Sequence, residues 1–437
     1  MKLSRLTVGP MVVFFTIVTN CFWLNAQQAP GTAGSTIAAD ASAKIEELQK
    51  ELDALKAQID QLKKAREKNE APAADPGSAV VTPVPAATAR KPGLAETLFD
   101  STTISGSVDG YYGLDFEHPA SRQAGLRVFD NYTNQFSLNL AELVVKRSPD
   151  KNTRLGYNLT LGFGNAMHVV NALEPGGESF AQNVKEAYLS YLAPIGKGVQ
   201  IDFGKFVTPA GAEVIESAPG WNYSRGILFG FAIPFYHFGL RAAYSFSPKV
   251  ALTGYLVNGW NNIVAVNTGK TYGFSLALAP SSKVSITQNY LGGPQTPNTN
   301  AHWRHLSDTV VQFNVTPKFS LLENFDYGAG DMIPGVNSVK WTGIATYARY
   351  AFNDRNAFAA RYEYYDDQNG FTTGTVQHIQ EYTLTLERTF AHGLISRLEF
   401  RRDMSDVPFF RRSVDLTKNQ NTMELGLIYV FDIHGAR

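Results

Sequence analysis

Four arginines stand out because of their neighbours. Arg241, Arg361, Arg397 and Arg401 adjoin Leu240, Tyr362, Leu398 and Phe400, and adjacent side chains of an extended chain point to opposite faces. Each guanidinium therefore belongs to a polar face whose reverse is apolar. Fixed cations on a wetted surface select ions, and Glu213 and Glu216, in the long stretch 207–235, are candidate anions to set against them. Glu363, Glu399 and Asp403 fall on the same faces as the arginines, so pairing within a solvated surface is the plainer account of some of these charges. Other chemistry has less to stand on. Only His302 and His305 among the eight histidines lie close together, without an acidic cluster, and no metal is expected. No Gly-x-Ser-x-Gly elbow marks a nucleophile, so no catalytic residue, enzymatic activity or cofactor is expected. Asn258-Gly259-Trp260-Asn261-Asn262 offers a ring on which a sugar would stack, but a turn at a strand end explains it more simply.

The elements that position these charges have a period of two. Ile104, Val108, Tyr112, Leu114 and Phe116 share one face, while Ser105, Ser107, Asp109, Asp115 and Glu117 share the other. The pattern recurs in Leu155, Tyr157, Leu159, Leu161 and Phe163, and in Tyr382, Leu384, Leu386 and Phe390, each set alternating with Gly, Asn, Thr or Glu. Sixteen such runs are read, near 103–117, 135–147, 153–165, 184–193, 198–206, 236–247, 250–260, 270–280, 283–292, 303–316, 318–328, 339–352, 356–367, 377–390, 394–405 and 421–432. Short connections such as Ser247-Pro248-Lys249 and Thr316-Pro317 alternate with long ones such as 118–134, 166–183, 207–235 and 406–420. Short inner turns, long outer loops and strands of about ten residues describe an outer-membrane barrel. A soluble β-sandwich uses the same period, but not this alternation of connections. The expected fold is all-β, a sixteen-stranded antiparallel transmembrane β-barrel over 103–437. Trp260, Trp341, Tyr350, Phe352 and Tyr429, near strand ends, are expected in the aromatic girdles.

Composition agrees. Hydrophobic residues make up 44% of the chain, and no stretch after the N-terminal one approaches the roughly 18 apolar residues of a spanning helix. The 39 Lys and Arg balance 39 Asp and Glu, so no nucleic-acid partner is implied. Residues 1–26 place Lys2 and Arg5 before an apolar run from Val8 to Leu24 and a small-residue site at Leu24-Asn25-Ala26, which reads as a secretory signal. Cys21, the only cysteine, falls within it. After a low-complexity linker at 27–40, residues 41–70 carry Ile45, Leu48, Leu52, Leu55, Ile59 and Leu62 at spacings of three and four, the seam of a short periplasmic coiled coil. The seam leaves dimer and trimer open. A Pro- and Ala-rich linker, 71–102, then leads to the barrel.

The chain's last strand sets Met423, Leu425, Leu427, Tyr429 and Phe431 on one face, with Glu424 and Gly426 between them. Glu424, Gly426, Tyr429 and Phe431 resemble the terminal signal read by barrel-insertion machinery, although Asp432 to Arg437 follow. Lys185-Glu186-Ala187-Tyr188, Asp202-Phe203-Gly204-Lys205-Phe206, Thr208-Pro209-Ala210-Gly211-Ala212-Glu213, Pro234-Phe235-Tyr236-His237-Phe238-Gly239 and Arg361-Tyr362-Glu363-Tyr364-Tyr365 resemble blocks of the OmpL-like family of outer-membrane porins. The resemblance spans about 103–431 and implies passive diffusion of small hydrophilic solutes or ions. It also implies that the third long connection folds into the lumen, making Glu213, Glu216, Arg241, Arg361, Arg397 and Arg401 a pore constriction. The partners expected are outer-membrane lipid, the insertion machinery, the permeating solutes and further copies of the chain, a trimer first. The coiled coil, which the family lacks, resembles stalks that precede phosphate- or sugar-selective porins. A selective channel and a tether to the cell wall are the alternatives.

Overall fold

The computed structural model describes Lys50, residues 101–331 and residues 338–434. The signal peptide, the coiled-coil seam and both linkers, apart from Lys50, Ser101 and Thr102, lie outside the described residues. The strands are β1 (Thr103–Asp115), β2 (Gln135–Arg147), β3 (Leu155–Phe163), β4 (Val184–Ala193), β5 (Val199–Val207), β6 (Tyr236–Ser247), β7 (Val250–Val257), β8 (Thr271–Ser281), β9 (Val284–Pro294), β10 (Trp303–Asn314), β11 (Phe319–Gly330), β12 (Val339–Asn353), β13 (Asn356–Asp367), β14 (Gln377–Thr389), β15 (Leu394–Ser405), a two-stranded hairpin of β16 (Phe410–Arg412) and β17 (Asp415–Thr417), and β18 (Asn419–His434). All but the hairpin join one closed antiparallel barrel of sixteen strands in chain order. Closure is made by β1 and β18, from Thr103 opposite His434 to Asp115 opposite Thr422. A closed sheet leaves no unpaired edge, which is the condition for strands to cross a bilayer.

The two faces follow the sequence period. Phe136, Leu189, Phe203, Leu386 and Leu427 are exposed on the outer face, Phe136 by 87%. Such surface suits hydrocarbon and not water. On the inner face Asn158, Thr160, Asp308, Thr383 and Thr385 are buried. Connections of two to seven residues alternate with connections of eight to twenty-eight. Several of the short turns share one device, in which the backbone N–H two residues on is taken by a side-chain oxygen: Lys249 donates to Ser247, Lys283 to Ser281, Lys318 to Thr316 and Arg355 to Asn353. These local bonds satisfy a donor that the ladder has abandoned.

At the opposite end the long connections fold onto one another. A short helix, α1 (Asn165–Asn171), buries Ala166, Met167 and Val170. They join Leu126, Phe129, Leu228, Phe229, Tyr236, Trp341, Tyr365 and Phe410 in one apolar cluster. Two expected girdle residues belong to this cluster instead. Trp341 is 1% exposed and its indole N–H donates to the Ala232 carbonyl, while Trp260 packs edge-on against it. Trp341 lies opposite Gly328 and Asp367 in the ladder, which puts it on the inner face whatever its distance from the strand end. Tyr350, Phe352 and Tyr429 are exposed, as a girdle requires.

Candidate functional site

The connection from β5 to β6, residues 208–235, reaches strands on opposite sides of the barrel. The Gly211 N–H donates to Asp308 on β10 and that of Ala212 to Asn324 on β11. Ser217 and the Tyr223 hydroxyl both donate to Asp109 on β1, the latter at 2.8 Å. Asn222 donates to Thr385 on β14 at 2.7 Å. A single segment makes all these contacts only by lying inside the barrel.

Charged side chains of β13 and β15 hold its backbone, and the division of labour follows their chemistry. Carboxylates take the amides: Glu399 accepts from the N–H of Tyr223 and Ser224, and Glu363 from that of Ile227 and Leu228. Guanidinium groups take the carbonyls. Arg361 donates to Ser224 at 2.8 Å, Arg401 to Arg225 at 2.7 Å, and Arg397 to Ser217, Ala218, Gly220 and Asn222. Apart from one π-helical turn at Leu228–Ala232, the segment has little repeating structure to pair its own peptide groups. Buried peptide groups left unpaired are costly, and hydrogen bonds to ionised partners are the stronger kind.

The six expected constriction residues divide accordingly. Glu213 meets Arg361 at 2.8 Å and also accepts from the Gly226 N–H. Arg361 further pairs with Glu381 at 2.7 Å, and Arg401 with Glu381 and Asp403. Arg397 pairs with Glu387, which also binds Arg349. Arg361, Arg397 and Arg401 are at most 1% exposed. Glu216 bonds Lys185, which also bonds Glu142, and keeps 27% of its side chain exposed. Arg241 stands apart on β6, paired with Asp202 at 2.7 Å and 21% exposed. The structure thus brings Glu213 to Arg361 and lays Arg397 and Arg401 on the same segment, but does not bring Arg241 to them.

The first long connection completes the clamp. Arg127 donates to Thr422 and pairs with Asp130 at 2.9 Å and with Glu424 at 3.3 Å. Burial pushes the Asp130 carboxyl up, but Arg127 and Arg401 outweigh it and hold the group below its ordinary range. A bulge between Asp109 and Gly110 admits the extra residue Asn139, which donates to Asp109 at 2.6 Å. Bulges re-aim side chains in this way. Gly426 has a lumenal reason of its own: a Cβ there would lie 2.2 Å from the Tyr223 ring. Glu424 and Gly426 therefore hold the inner segments, while Tyr429 faces outward.

Sequence reasoning did not find Arg349 or Arg304. Period two applied to β12 and β10 signals both, since Arg349 lies opposite Ser320 on β11, and Arg304 lies two residues from Leu306 and four from Asp308.

The family described as "Putative beta-barrel porin-2, OmpL-like" matches residues 101–431. Among solved structures the chain is similar to an anion-selective porin from Comamonas acidovorans, at 11% identity and TM-score 0.53, covering 76% of this chain and 99% of that one. It is similar to the outer-membrane channel DcaP of Acinetobacter baumannii, at 11% identity and TM-score 0.52, covering 76% and 97%. It is also similar to OmpT of Vibrio cholerae in its trimer form, at 12% identity and TM-score 0.50, covering 76% and 99%. Likeness at these identities shows the fold. Comparison with curated proteins finds no match. Matched over most of its length and closed into sixteen strands, the chain belongs to the OmpL-like family of outer-membrane β-barrel porins.

Proposed function

We propose that the protein is a passive channel for small hydrophilic solutes and ions, narrowed by the segment 207–235. One contrast between the two halves of the inner wall supports this most directly. On β13 to β15 the wall is charged and covered by the clamped segment. On β5 to β9, toward the short turns and beyond the Asp202–Arg241 pair, it carries Gln200, Ala243, Ser245, Ala251, Ala277, Ser285 and Thr287, which with Lys197 and Lys249 border a cavity of about 750 Å³. Small uncharged side chains such as these hold no solute tightly, and a diffusion pathway must bind weakly enough to release. Glu216, Arg241 and Arg349, each partly exposed, are residues through which this channel weighs ions. The long-loop end faces outward, and residues 41–70 form a periplasmic stalk that helps assemble copies of the chain, a trimer first.

Single-channel recording in planar bilayers tests the reading. Large ohmic conductance without block by added solutes is the expected result. Block that depends on one sugar or anion supports a selective channel, and a folded protein that passes no current supports a tether and overturns the porin.

A further inference from the structure

Arg304, the second residue of β10, lies at the long-loop end of the inner wall. Its guanidinium carbon sits 4.4 Å from the centre of the Trp260 ring, 4.7 Å from Phe371 and 5.8 Å from Trp341. Those rings come from three different places: the β7–β8 connection, the β13–β14 connection and β12. Aromatic faces attract a cation, but they neutralise no charge. Arg127, Arg361, Arg397 and Arg401 on the same inner side all touch carboxylates. Arg304 touches none among the described residues, and its Nε is buried without a hydrogen-bond partner. Arg304 is half-buried, and a charge set partly out of water among apolar rings without a counter-charge is unfavourable, so this position is built for an anion that the chain itself does not supply.

We infer that Arg304 with Trp260, Trp341 and Phe371 forms a binding subsite for small oxyanions, carboxylate or phosphate, at the outer mouth of the channel. The rings crowd the guanidinium and fix its orientation. Its terminal nitrogens, unlike Nε, are not sealed from solvent without a partner, and two such N–H groups match the two oxygens of a carboxylate or phosphate. Loops on both sides fix the rings: the Trp260 N–H donates to Gln295 at 3.0 Å, and the Phe371 N–H to Asp367 at 2.9 Å. The subsite names a solute class for the porin reading and rests on it.

Two measurements keep the subsite and the pore separate. Calorimetric titration of the folded, detergent-solubilised full chain with sodium phosphate, and separately with sodium acetate, reads the subsite whether or not the protein conducts. Binding by either salt is expected, with phosphate and acetate distinguishing the preferred oxyanion. Arg304→Gln should weaken it at least about tenfold, and Arg304→Lys, which keeps the charge but not the paired donors, should fall between. Trp260→Ala, which keeps the cation and removes one ring, should also weaken it and serves where Arg304→Gln fails to fold. Absence of binding by either salt, or equal affinity in Arg304→Gln or in Trp260→Ala, overturns the subsite. Bilayer recording of the same preparation then reads the pore: absent current with intact binding overturns the porin reading and leaves the subsite standing.

Discussion

Gly426 and Tyr223 decide how closely the inner segment approaches the wall. The ring occupies the space a side chain on β18 would fill, and its hydroxyl is fixed on Asp109 across the closure strands. Overpacking a fitted site of this kind costs about 1–3 kcal/mol. Gly426→Ala should therefore lower the urea midpoint of the folded barrel and raise single-channel conductance as Tyr223 is displaced, while membrane insertion stays normal. Failed insertion with unaltered conductance in the molecules that do insert would assign Gly426 to the terminal signal alone. The charges divide in the same way between holding and sensing. Glu216→Gln should shift the reversal potential toward anions in a salt gradient at low ionic strength, and Arg241→Gln toward cations, because both side chains are partly exposed to passing ions and low ionic strength screens their charge least. Replacing Arg397 and Arg401 together by Gln should raise conductance instead. It takes from Asp403 its arginine, leaves Glu387 to Arg349 and Glu381 to Arg361 alone, and strips backbone carbonyls of the segment of their donors, at about 3–5 kcal/mol for a broken buried pair. A reversal-potential shift toward cations at unchanged conductance would show that these arginines line the open path and do not clamp the segment.

Among the elements, the long connections depend on a few polar staples. Glu174, between α1 and β4, accepts from the Tyr236 hydroxyl and from the N–H of Ile263, Val264 and Gly176. Burial pushes its carboxyl up, but these bonds outweigh that and hold it below its ordinary value of 4.5. A depressed pKa contributes stability above the ordinary value, and that contribution is lost as pH falls through the lowered one. The protection of the Ile263 and Val264 amides, measured as exchange relative to the intrinsic rate at the same pH, should therefore be high near neutral pH and fall as pH drops through the lowered value, whereas Glu174→Gln should already lose protection at neutral pH. Protection that does not change with acidification would show that α1 and the apolar cluster hold the loops without the carboxylate. The same scale shows what period-two reading captures. Strands β2, β4, β6, β13 and β15 fall at the expected residues, because a strand between water and lipid writes its alternation into every second side chain. The helix α1, the β16–β17 hairpin and the clamp partners were not legible. Each depends on which distant strands face one another across the barrel, and neighbouring residues carry no trace of that. Trp341 was legible and misassigned: its place in the alternation with Gly343, Ala345 and Tyr347 marks the inner face, and its nearness to the strand end does not.

For the whole molecule, the decisive fact is that the barrel closes on itself. Thr103 pairs with His434 on one side and with Lys146 on the other, so the ladder is complete from the first residue of β1. Every strand of the barrel lies at or beyond residue 103. The sixteen strands of the closed ladder draw on no residue before Thr103, and a closed barrel is the form in which all backbone groups in the bilayer are satisfied. A chain lacking residues 27–92 should therefore still fold into detergent or lipid and migrate on a gel as a compact band that shifts on boiling. Its conductance per barrel should equal that of the full chain. If residues 41–70 join copies through Ile45, Leu48, Leu52, Leu55, Ile59 and Leu62, the same truncation should reduce cross-linked oligomers, and acidic substitutions at Leu52 and Leu55 should do so without any deletion. Oligomers that survive both changes would place the association surface on the lipid-facing wall. Loss of the boiling-sensitive band in the truncated chain would instead mean that the N-terminal region guides barrel closure, although it supplies none of the strands.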